Sequence, residues 1–329
     1  MPRAITIDTI RDAARTVYDA AIRTPLVALG AVTAGGPDVF LKLEMLQPIG
    51  SFKIRGAYNA VRQLSPAQLA GGVWTVSAGN AAQGVALAAR KVGARCSVMV
   101  MDTAPQAKLG AIDRLGATIV KASFDECWRT VETHRSSRMQ GHFVHPFDDD
   151  SFISGNGTAG LEIVEDLPDV DAVVAAVGGG GLLTGIGVAL RALRPEATIY
   201  AAEPETAAPL KRSKDNRRAS RFDEWEASFV DGAGGKSVLD TMWPLLDEYV
   251  HESLVVSLDE TARAMRLVAE RARVIAEGAA ACAVAAAISP AMAARGHKKV
   301  VAVVSGGNVD LAKFAQLVGA CPQSLIPNP

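Results

Sequence analysis

The chain has 329 residues, 49% of them hydrophobic, with 34 basic and 35 acidic side chains. A net charge of −1 provides no bulk attraction to nucleic acid or to an anionic membrane, and neither partner is expected. Four widely separated cysteines argue against a disulfide framework or a zinc site, and the amino terminus carries no apolar signal core. We therefore expect a cytoplasmic protein.

Strand-like apolar runs alternate with helical patterns along nearly the whole chain, which predicts an α/β fold. In the first half, strands are predicted at residues 39–43, 73–76, 96–101 and 117–121. The intervening helices are predicted at residues 56–64, 82–92, 108–115 and 125–138.

The same alternation continues in the second half of the chain. Strands are predicted at residues 172–177, 198–202 and 300–304, and helices at residues 159–166, 182–193, 259–276 and 278–288. The strands that precede residue 53 are expected to join this second array. The prediction is a discontinuous large domain of residues 1–65 and 149–329, with a small α/β domain of residues 66–148 inserted between its parts.

Four consecutive glycines, Gly178 to Gly181, stand between a predicted strand and a predicted helix. Successive bare amides at a helix N-terminus form an anion site that the helix dipole reinforces. Glycines that only ease helix–sheet packing are one alternative. A dinucleotide-binding fold is another, because Glu203 ends a later strand, but Leu183 and Thr184 stand where the third glycine of that fingerprint would fall.

Three further loops have residues suited to ligand binding. Lys53 lies in Ser51-Phe52-Lys53-Ile54-Arg55-Gly56, and burial or a nearby cation would make its amine nucleophilic. Taken singly, a surface lysine is the simpler interpretation, and the segments Ser77-Ala78-Gly79-Asn80-Ala81 and Ser305-Gly306-Gly307-Asn308 are ordinary turns. Ligands collect at the carboxyl ends of parallel strands, so the four loops together predict one site. An amine and a phosphate cradle match pyridoxal phosphate, with lysine as its Schiff-base partner.

With these segments assembled, the chain resembles the threonine/serine dehydratase and serine racemase family of fold-type II pyridoxal-phosphate enzymes. The resemblance covers nearly the whole chain and rests on five segments in the family's order. These segments are Lys42-Leu43-Glu44, Ser51-Phe52-Lys53-Ile54-Arg55-Gly56, Ser77-Ala78-Gly79-Asn80, Gly178-Gly179-Gly180-Gly181-Leu182 and Ser305-Gly306-Gly307-Asn308. It implies a tryptophan synthase β-like fold of two open, twisted, mainly parallel sheets flanked by helices.

The resemblance also implies a role for each matching residue. Lys53 would form the Schiff base and act as the base and acid at Cα. The cofactor would contact Phe52, Lys53, Asn80, Gly178, Gly179, Gly180, Gly181, Leu182, Glu277 and Ser305. The substrate carboxylate would lie among Ser77, Gly79, Asn80 and Ala81. A neutral Ser305 hydroxyl at the pyridine nitrogen does not hold a proton there as a carboxylate would, which favours prompt β-elimination.

Two departures from the family's pattern bear on the chemistry. Racemases carry a serine where Ala78 stands, and a methyl group cannot exchange a proton, so a dehydratase is expected. Metal-binding members pair a glutamate, here Glu203, with an aspartate six residues later, where Pro209 stands, so Glu203 is a weak metal candidate. His142 and His145, which an acidic run follows, form another, for which a solvated loop is the favoured interpretation.

The expected function is pyridoxal-phosphate dependent β-elimination, in which a dehydratase or ammonia-lyase converts L-threonine or L-serine into a 2-oxo acid and ammonia. The alternatives are a β-replacement enzyme or an amino-acid racemase of the same fold. A non-catalytic nucleotide-binding α/β protein is more distant. The resemblance implies a homodimer or homotetramer, and the chain leaves no room after Ser305 for the regulatory domain of the feedback-regulated dehydratases.

Overall fold

The structure, a computed structural model, describes residues 3–33 and 35–320. Within this range the strands are β1 (Leu26–Ala31), β2 (Asp38–Lys42), β3 (Val73–Val76), β4 (Cys96–Met101), β5 (Thr118–Ala122), β6 (His142–Phe143), β7 (Ala172–Ala176), β8 (Thr198–Pro204), β9 (Glu252–Val256) and β10 (Lys299–Val303). The α-helices are α1 (Ile7–Ala14), α2 (Lys53–Arg62), α3 (Pro66–Gly71), α4 (Asn80–Lys91), α5 (Gln106–Asp113), α6 (Phe124–Thr133), α7 (Asp150–Asp166), α8 (Gly181–Leu193), α9 (Pro209–Asn216), α10 (Trp243–Tyr249), α11 (Leu258–Ala272), α12 (Gly278–Ala287), α13 (Pro290–Ala293) and α14 (Leu311–Gly319).

The strands form two sheets. The larger has the order β1-β2-β10-β7-β8-β9, and the smaller has the order β5-β4-β3-β6. Strands β1 and β2 pair antiparallel, and the other pairings within the described range are parallel. The predicted α/β fold class is confirmed, and the strands before residue 53 join the array from the second half of the chain, as expected.

Helices cover both faces of each sheet. In β7, Val174 packs into a core with α11 and α12, whereas Val173 packs into a second core with α7 and α8. In the smaller sheet, Val98 faces α2 and α4, and Met99 faces α6. Because both faces are buried, such strands read as continuous apolar runs rather than as alternating patterns.

Helix α7 is longer than the sequence suggests. The prediction covered residues 159–166, but the helix begins at Asp150, where the side chain of Asp149 accepts a hydrogen bond from the amide of Phe152. Glycines in its first half weaken the helical pattern in the sequence. One of them serves close packing, since a Cβ added to Gly155 would lie 2.4 Å from the carbonyl oxygen of Arg55.

Two other helices are shorter than predicted. Helix α6 ends before His134 and α11 ends before Arg273, because these residues adopt left-handed φ angles of 58° and 60°. A left-handed residue ends the helical hydrogen-bond ladder. Several elements of the described chain were not predicted from the sequence, namely α1, α3, α9, α10, α13, α14, β1 and β9.

The described cysteines Cys96, Cys127 and Cys282 are buried and free, whereas Cys321 lies outside the described residues. Burial raises the pKa of Cys96 to about 12, which keeps that thiol protonated and unreactive. In the part of the chain that the structure describes, no helix has the length and apolar character to cross a membrane.

Helix α2 lies between the helices of the two sheets and carries a buried charge cluster, which we define as Lys42, Glu44, Arg55 and Glu162. Arg55 donates to Glu44 from Nε and Nη2, each at 2.8 Å, and to Glu162 from Nη1 and Nη2 at 2.6 and 2.9 Å. Lys42 Nζ lies 2.6 Å from the Glu162 carboxylate. Burial alone would lower the pKa of Arg55, but the two glutamates outweigh burial and raise it, so this cation stays charged.

Removing one member of this cluster leaves buried charge without compensation. We expect Arg55→Met to lower the free energy of unfolding by about 3–5 kcal/mol in urea titrations. Arg138→Met is the matched control, because Arg138 pairs with Glu126 at the surface and its loss should cost about 0–1 kcal/mol. An equal loss in the two variants would contradict the structural role of the cluster.

Candidate active site

Loops that follow β3, β6, β7 and β10 enclose a cavity of about 450 Å³. The cavity therefore lies at the carboxyl ends of parallel strands, where α/β proteins bind ligands. The residues that the sequence predicted for the cofactor and the substrate carboxylate all line it, namely Phe52, Lys53, Ser77, Gly79, Asn80, Ala81, Gly178, Gly179, Gly180, Gly181, Leu182, Glu277 and Ser305.

Lys53 is the first residue of α2, and its side chain is enclosed by apolar groups. Its Nζ donates a hydrogen bond to the carbonyl oxygen of Pro146 at 2.7 Å and lies 5.2 and 5.4 Å from the ring centroids of Phe52 and Phe152. Burial lowers the pKa of Lys53 to about 8, although the nearby Glu277 opposes this shift. Such an amine is deprotonated in part near neutral pH and can act as a nucleophile.

The four glycines lead into the N-terminus of the thirteen-residue helix α8. Gly180 adopts a φ angle of 91°, a left-handed conformation that favours glycine. Among the described residues, no acceptor is present for the amides of Gly178 to Gly181. A Cβ added to Gly179 would lie 2.1 Å from the Phe147 ring. The loop thus presents bare amides at the positive end of a helix, which suits a phosphate.

Asn80 is held between two other residues of the site. Its Nδ2 donates to Glu277 Oε1 at 2.9 Å, and its Oδ1 accepts from Asn308 Nδ2 at 2.8 Å. Asn308 also donates to the carbonyl oxygen of Ile49 at 2.7 Å. These contacts fix the orientation of the Asn80 amide and leave one of its two N–H groups available for a ligand.

Main-chain hydrogen bonds join the Ser305 loop to the lysine loop. The Phe52 amide donates to the Ser305 carbonyl oxygen at 3.0 Å, and the Gly307 amide donates to the Gly50 carbonyl oxygen at 2.9 Å. The Ser305 side chain is buried and lines the cavity. Lys53 and Ser305, far apart in sequence, are therefore held in a fixed relation.

The loop after β3 offers fewer free amides than predicted. The Gly79 amide donates to Ser77 Oγ at 3.1 Å, so a ligand carboxylate would have to compete for it. The amides of Asn80 and Ala81 open α4 and have no acceptor among the described residues. They are the stronger candidates for a substrate carboxylate.

Glu203 does not fit a metal site. Its two carboxylate oxygens accept from the amides of Leu210 and Lys211, each at 2.8 Å, and from Ser253 Oγ at 2.6 Å. Burial raises the pKa of Glu203 to about 7, although these hydrogen bonds oppose the shift. The side chain binds amides at the N-terminus of α9, which begins at Pro209, and both of its oxygens are engaged by protein groups.

The possible metal site that contains histidines has different residues in the structure from those predicted. His134, His145 and Asp148 place their possible ligand atoms within 4.8 Å of one another, whereas His142 contacts Gln68. Burial and His134 lower the pKa of His145 to about 4. Its Nδ1 accepts from the Asp148 amide at 2.7 Å, and its Nε2 lies 3.2 Å from the Val131 carbonyl oxygen, so neither nitrogen offers a lone pair.

The interpretation of the acidic run as a solvated loop was wrong. Asp148 is buried and binds Arg3 at 2.7 Å and Thr241 at 2.5 Å. Asp149 caps α7. These carboxylates are already satisfied by protein groups.

Sequence reasoning gave no role to several residues of the cavity. The carbonyl group of Pro146, which accepts a hydrogen bond from Lys53, is a main-chain group and cannot be recognised from residue types. Asn308 was part of a recognised segment, but its contact with Asn80 joins distant parts of the chain. Phe147 and Asp231 belong to none of the recognised segments, and both line the cavity.

Pyridoxal phosphate fits these residues. A buried amine with a lowered pKa suits its aldehyde, and the bare amides of the glycine loop suit its phosphate. The buried Ser305 side chain lines the same cavity, and its hydroxyl suits a neutral ring nitrogen.

Comparisons with known proteins agree with this geometry. A family model described as pyridoxal-phosphate dependent enzyme matches residues 17–306. The L-threonine ammonia-lyase of Thermotoga maritima is 40% identical over 95% of this chain and 78% of its own length. Maize serine racemase superposes with a TM-score of 0.86 at 31% identity, covering 95% of this chain and 96% of that one. The processed threonine deaminase isoform 2 of Solanum lycopersicum gives 0.83 at 30% identity, over 97% and 95%.

Glu277 makes the stability of the cofactor-free protein depend on pH. Burial raises the pKa of Glu277 from 4.5 to about 7, although the Asn80 hydrogen bond opposes this. Between these two values the folded protein keeps a proton that the unfolded chain has released, so the free energy of unfolding falls as pH rises.

Glu277→Gln keeps an oxygen for Asn80 but cannot titrate. Its stability relative to wild type should therefore rise by about 3 kcal/mol across this window, measured by urea titration below and above it. A relative stability that stays constant with pH would show that Glu277 titrates as an exposed carboxyl does.

Proposed function

The chain belongs to the family of pyridoxal-phosphate dependent enzymes, and on this basis we propose that it is a dehydratase of the ammonia-lyase type. It converts a β-hydroxy amino acid, L-threonine or L-serine, into a 2-oxo acid and ammonia. The observation that carries the proposal is the enclosure of a buried Lys53 amine and the free amides of Gly178 to Gly181 in one cavity. The 40% identity to an L-threonine ammonia-lyase supports the choice of reaction.

The proposed contacts follow from what lines the cavity. Bound pyridoxal phosphate supplies an electron sink for the charge left at the substrate Cα. The Lys53 amine would hold its aldehyde carbon, and the amides of Gly178 to Leu182 would hold its phosphate. Asn80 would donate to the ring oxygen, and the Ser305 hydroxyl would bind at the ring nitrogen. Phe52 and Glu277 would border the ring.

Lys53 is also the proposed base. The substrate carboxylate is held by the amides of Asn80 and Ala81, with Ser77 and Gly79 beside them. With the substrate bound, the free Lys53 amine would remove the Cα proton. The electron pair of that C–H bond would form the Cα–Cβ double bond, and the β-hydroxyl would leave as water with the proton that Lys53 took from Cα. The released unsaturated amine is then hydrolysed to the 2-oxo acid and ammonia.

Racemisation is the second candidate, because maize serine racemase has the same fold as this chain. A racemase of this kind needs a proton donor on the face of Cα opposite the lysine. Ala78 lines the cavity where the family's racemases carry serine, and a methyl group cannot donate a proton. We therefore favour elimination.

The proposal extends to organisation. Residues 66–148 would form the small domain, and residues 1–65 and 149–329 the large one, a division that the two separate sheets support. A homodimer or homotetramer acting in the cytoplasm on a small-molecule amino acid is proposed from the family resemblance.

Lys53→Ala tests the base directly. We expect oxo-acid formation from L-threonine to fall on the order of 10³-fold or more, together with loss of the yellow colour of lysine-bound cofactor. Lys299→Ala is the control, since Lys299 pairs with Asp169 at the surface. Turnover of Lys53→Ala near the wild-type rate would refute the assignment.

Ala78→Ser tests the choice between the two reactions. Wild-type protein given L-serine should form pyruvate and ammonia without D-serine, because one face of Cα lacks a proton donor. The new hydroxyl should allow D-serine to appear, as measured by chiral chromatography beside an oxo-acid assay. D-Serine formed by wild type as fast as pyruvate would contradict the role given to Ala78.

A further inference from the structure

Four charged side chains line the cavity, and two of them have no part in the reaction described above. Lys53 and Glu277 lie beside the expected position of the cofactor. The other two are Lys108, from the first half of α5, and Asp231, from the short 3-10 turn Asp231–Ala233. They form an ion pair with each other, and both remain open to solvent, with side-chain exposures of 38% and 60%. This pair joins the smaller-sheet region to the larger-sheet region at the open side of the cavity.

The segment that carries Asp231 passes close to Glu277. A Cβ added to Gly232, the neighbour of Asp231, would be 3.5 Å from Glu277 Oε1. Burial has the largest effect on the pKa of Glu277, and the Asn80 hydrogen bond opposes it. The negative charge of Asp231 raises this pKa further, and the positive charge of Lys108 lowers it. A substrate bound beside Glu277 would therefore be exposed to the same two charges.

A second contact holds the Asp231 segment in place. Lys236 Nζ lies 4.6 Å from the ring centroid of Phe124 and 4.2 Å from that of Trp225. Trp225 Nε1 donates to the Gly234 carbonyl oxygen at 2.9 Å. Because Phe124 opens α6 beside the smaller sheet, this contact links the segment after Asp231 to the smaller-sheet side.

We propose that the Lys108–Asp231 pair is the specificity determinant for the charge of the substrate side chain. This inference rests on the proposed function, in which an amino acid binds in this cavity. Met101, Trp128 and Val131 are among the apolar residues that line the same cavity. With the pair intact, the two charges cancel and a neutral substrate side chain is accepted. A charged side chain could bind one member of the pair only by displacing the other member, which disfavours it.

When one member of the pair is removed, the charge that remains should favour ligands whose side chain has the opposite charge. Asp231→Asn leaves Lys108 free, so an anionic side chain should bind more tightly and a cationic one more weakly. Lys108→Met leaves Asp231 free and should reverse both changes. Because both groups are exposed, we expect shifts of roughly three- to tenfold in the ratio of dissociation constants.

The test measures binding to the holoenzyme through the change in visible absorbance of the cofactor. The ligands are L-2-aminobutyrate, L-aspartate and L-2,4-diaminobutyrate, which differ in side-chain charge and carry no leaving group at Cβ. Glu224→Gln and Arg212→Met are the matched controls, because they make the same charge changes in a surface pair that does not line the cavity. These controls should leave the ratios unchanged.

Unchanged ratios in Asp231→Asn and Lys108→Met would overturn the proposal, and so would equal shifts in the controls. The absence of any spectral change with all three ligands would also overturn it. Because binding is measured without turnover, the proposed function fails separately. Wild type that binds these ligands with the expected selectivity but forms no oxo acid from threonine or serine would refute the dehydratase and leave the specificity determinant intact.

Discussion

The position of Lys53 depends on the buried charge cluster two residues further along α2. Arg55 is fully enclosed, and its guanidinium can be there only because Glu44 and Glu162 neutralise it, with Lys42 completing the set. These four side chains come from β2, the turn after it, α2 and α7. Their geometry is specific, since a misplaced partner would leave a bare charge in the interior. The cluster therefore locks together segments that lie more than a hundred residues apart (the Arg55–Glu162 bonds span 107 positions) and fixes where α2 begins.

From that fixed helix the rest of the site is built by main-chain and amide contacts. The Ser305 loop is bonded to the lysine loop, and Asn80 is bonded to both Glu277 and Asn308. A ligand entering the cavity meets groups that are already oriented, which reduces the cost of ordering them on binding. Burial then tunes the two ionisable groups in opposite directions, lowering the pKa of Lys53 to about 8 and raising that of Glu277 to about 7.

Much of this arrangement is visible in local sequence patterns. Strands such as β3 and β4 are short apolar runs, and the glycine loop reads as an anion site because bare amides before a helix need no distant partner. What the sequence concealed depends on distant contacts. Of the glycines that obscured α7, Gly155 is explained by the close approach of the Arg55 carbonyl oxygen. Glu203 is a metal candidate in the sequence, but in the structure its carboxylate accepts hydrogen bonds from two amides of the turn into α9. The contact between Lys108 and Asp231 joins residues 123 positions apart.

We propose that Lys53, and no other lysine, holds the cofactor. Reduction of the holoenzyme with borohydride fixes the cofactor to its lysine, and peptide mass spectrometry then locates the added mass. We expect the label on the peptide containing Lys53 at close to one group per chain, and its loss in Lys53→Ala. Label on another lysine, such as Lys108 in the same cavity, or an unlabelled Lys53 in yellow protein, would contradict it.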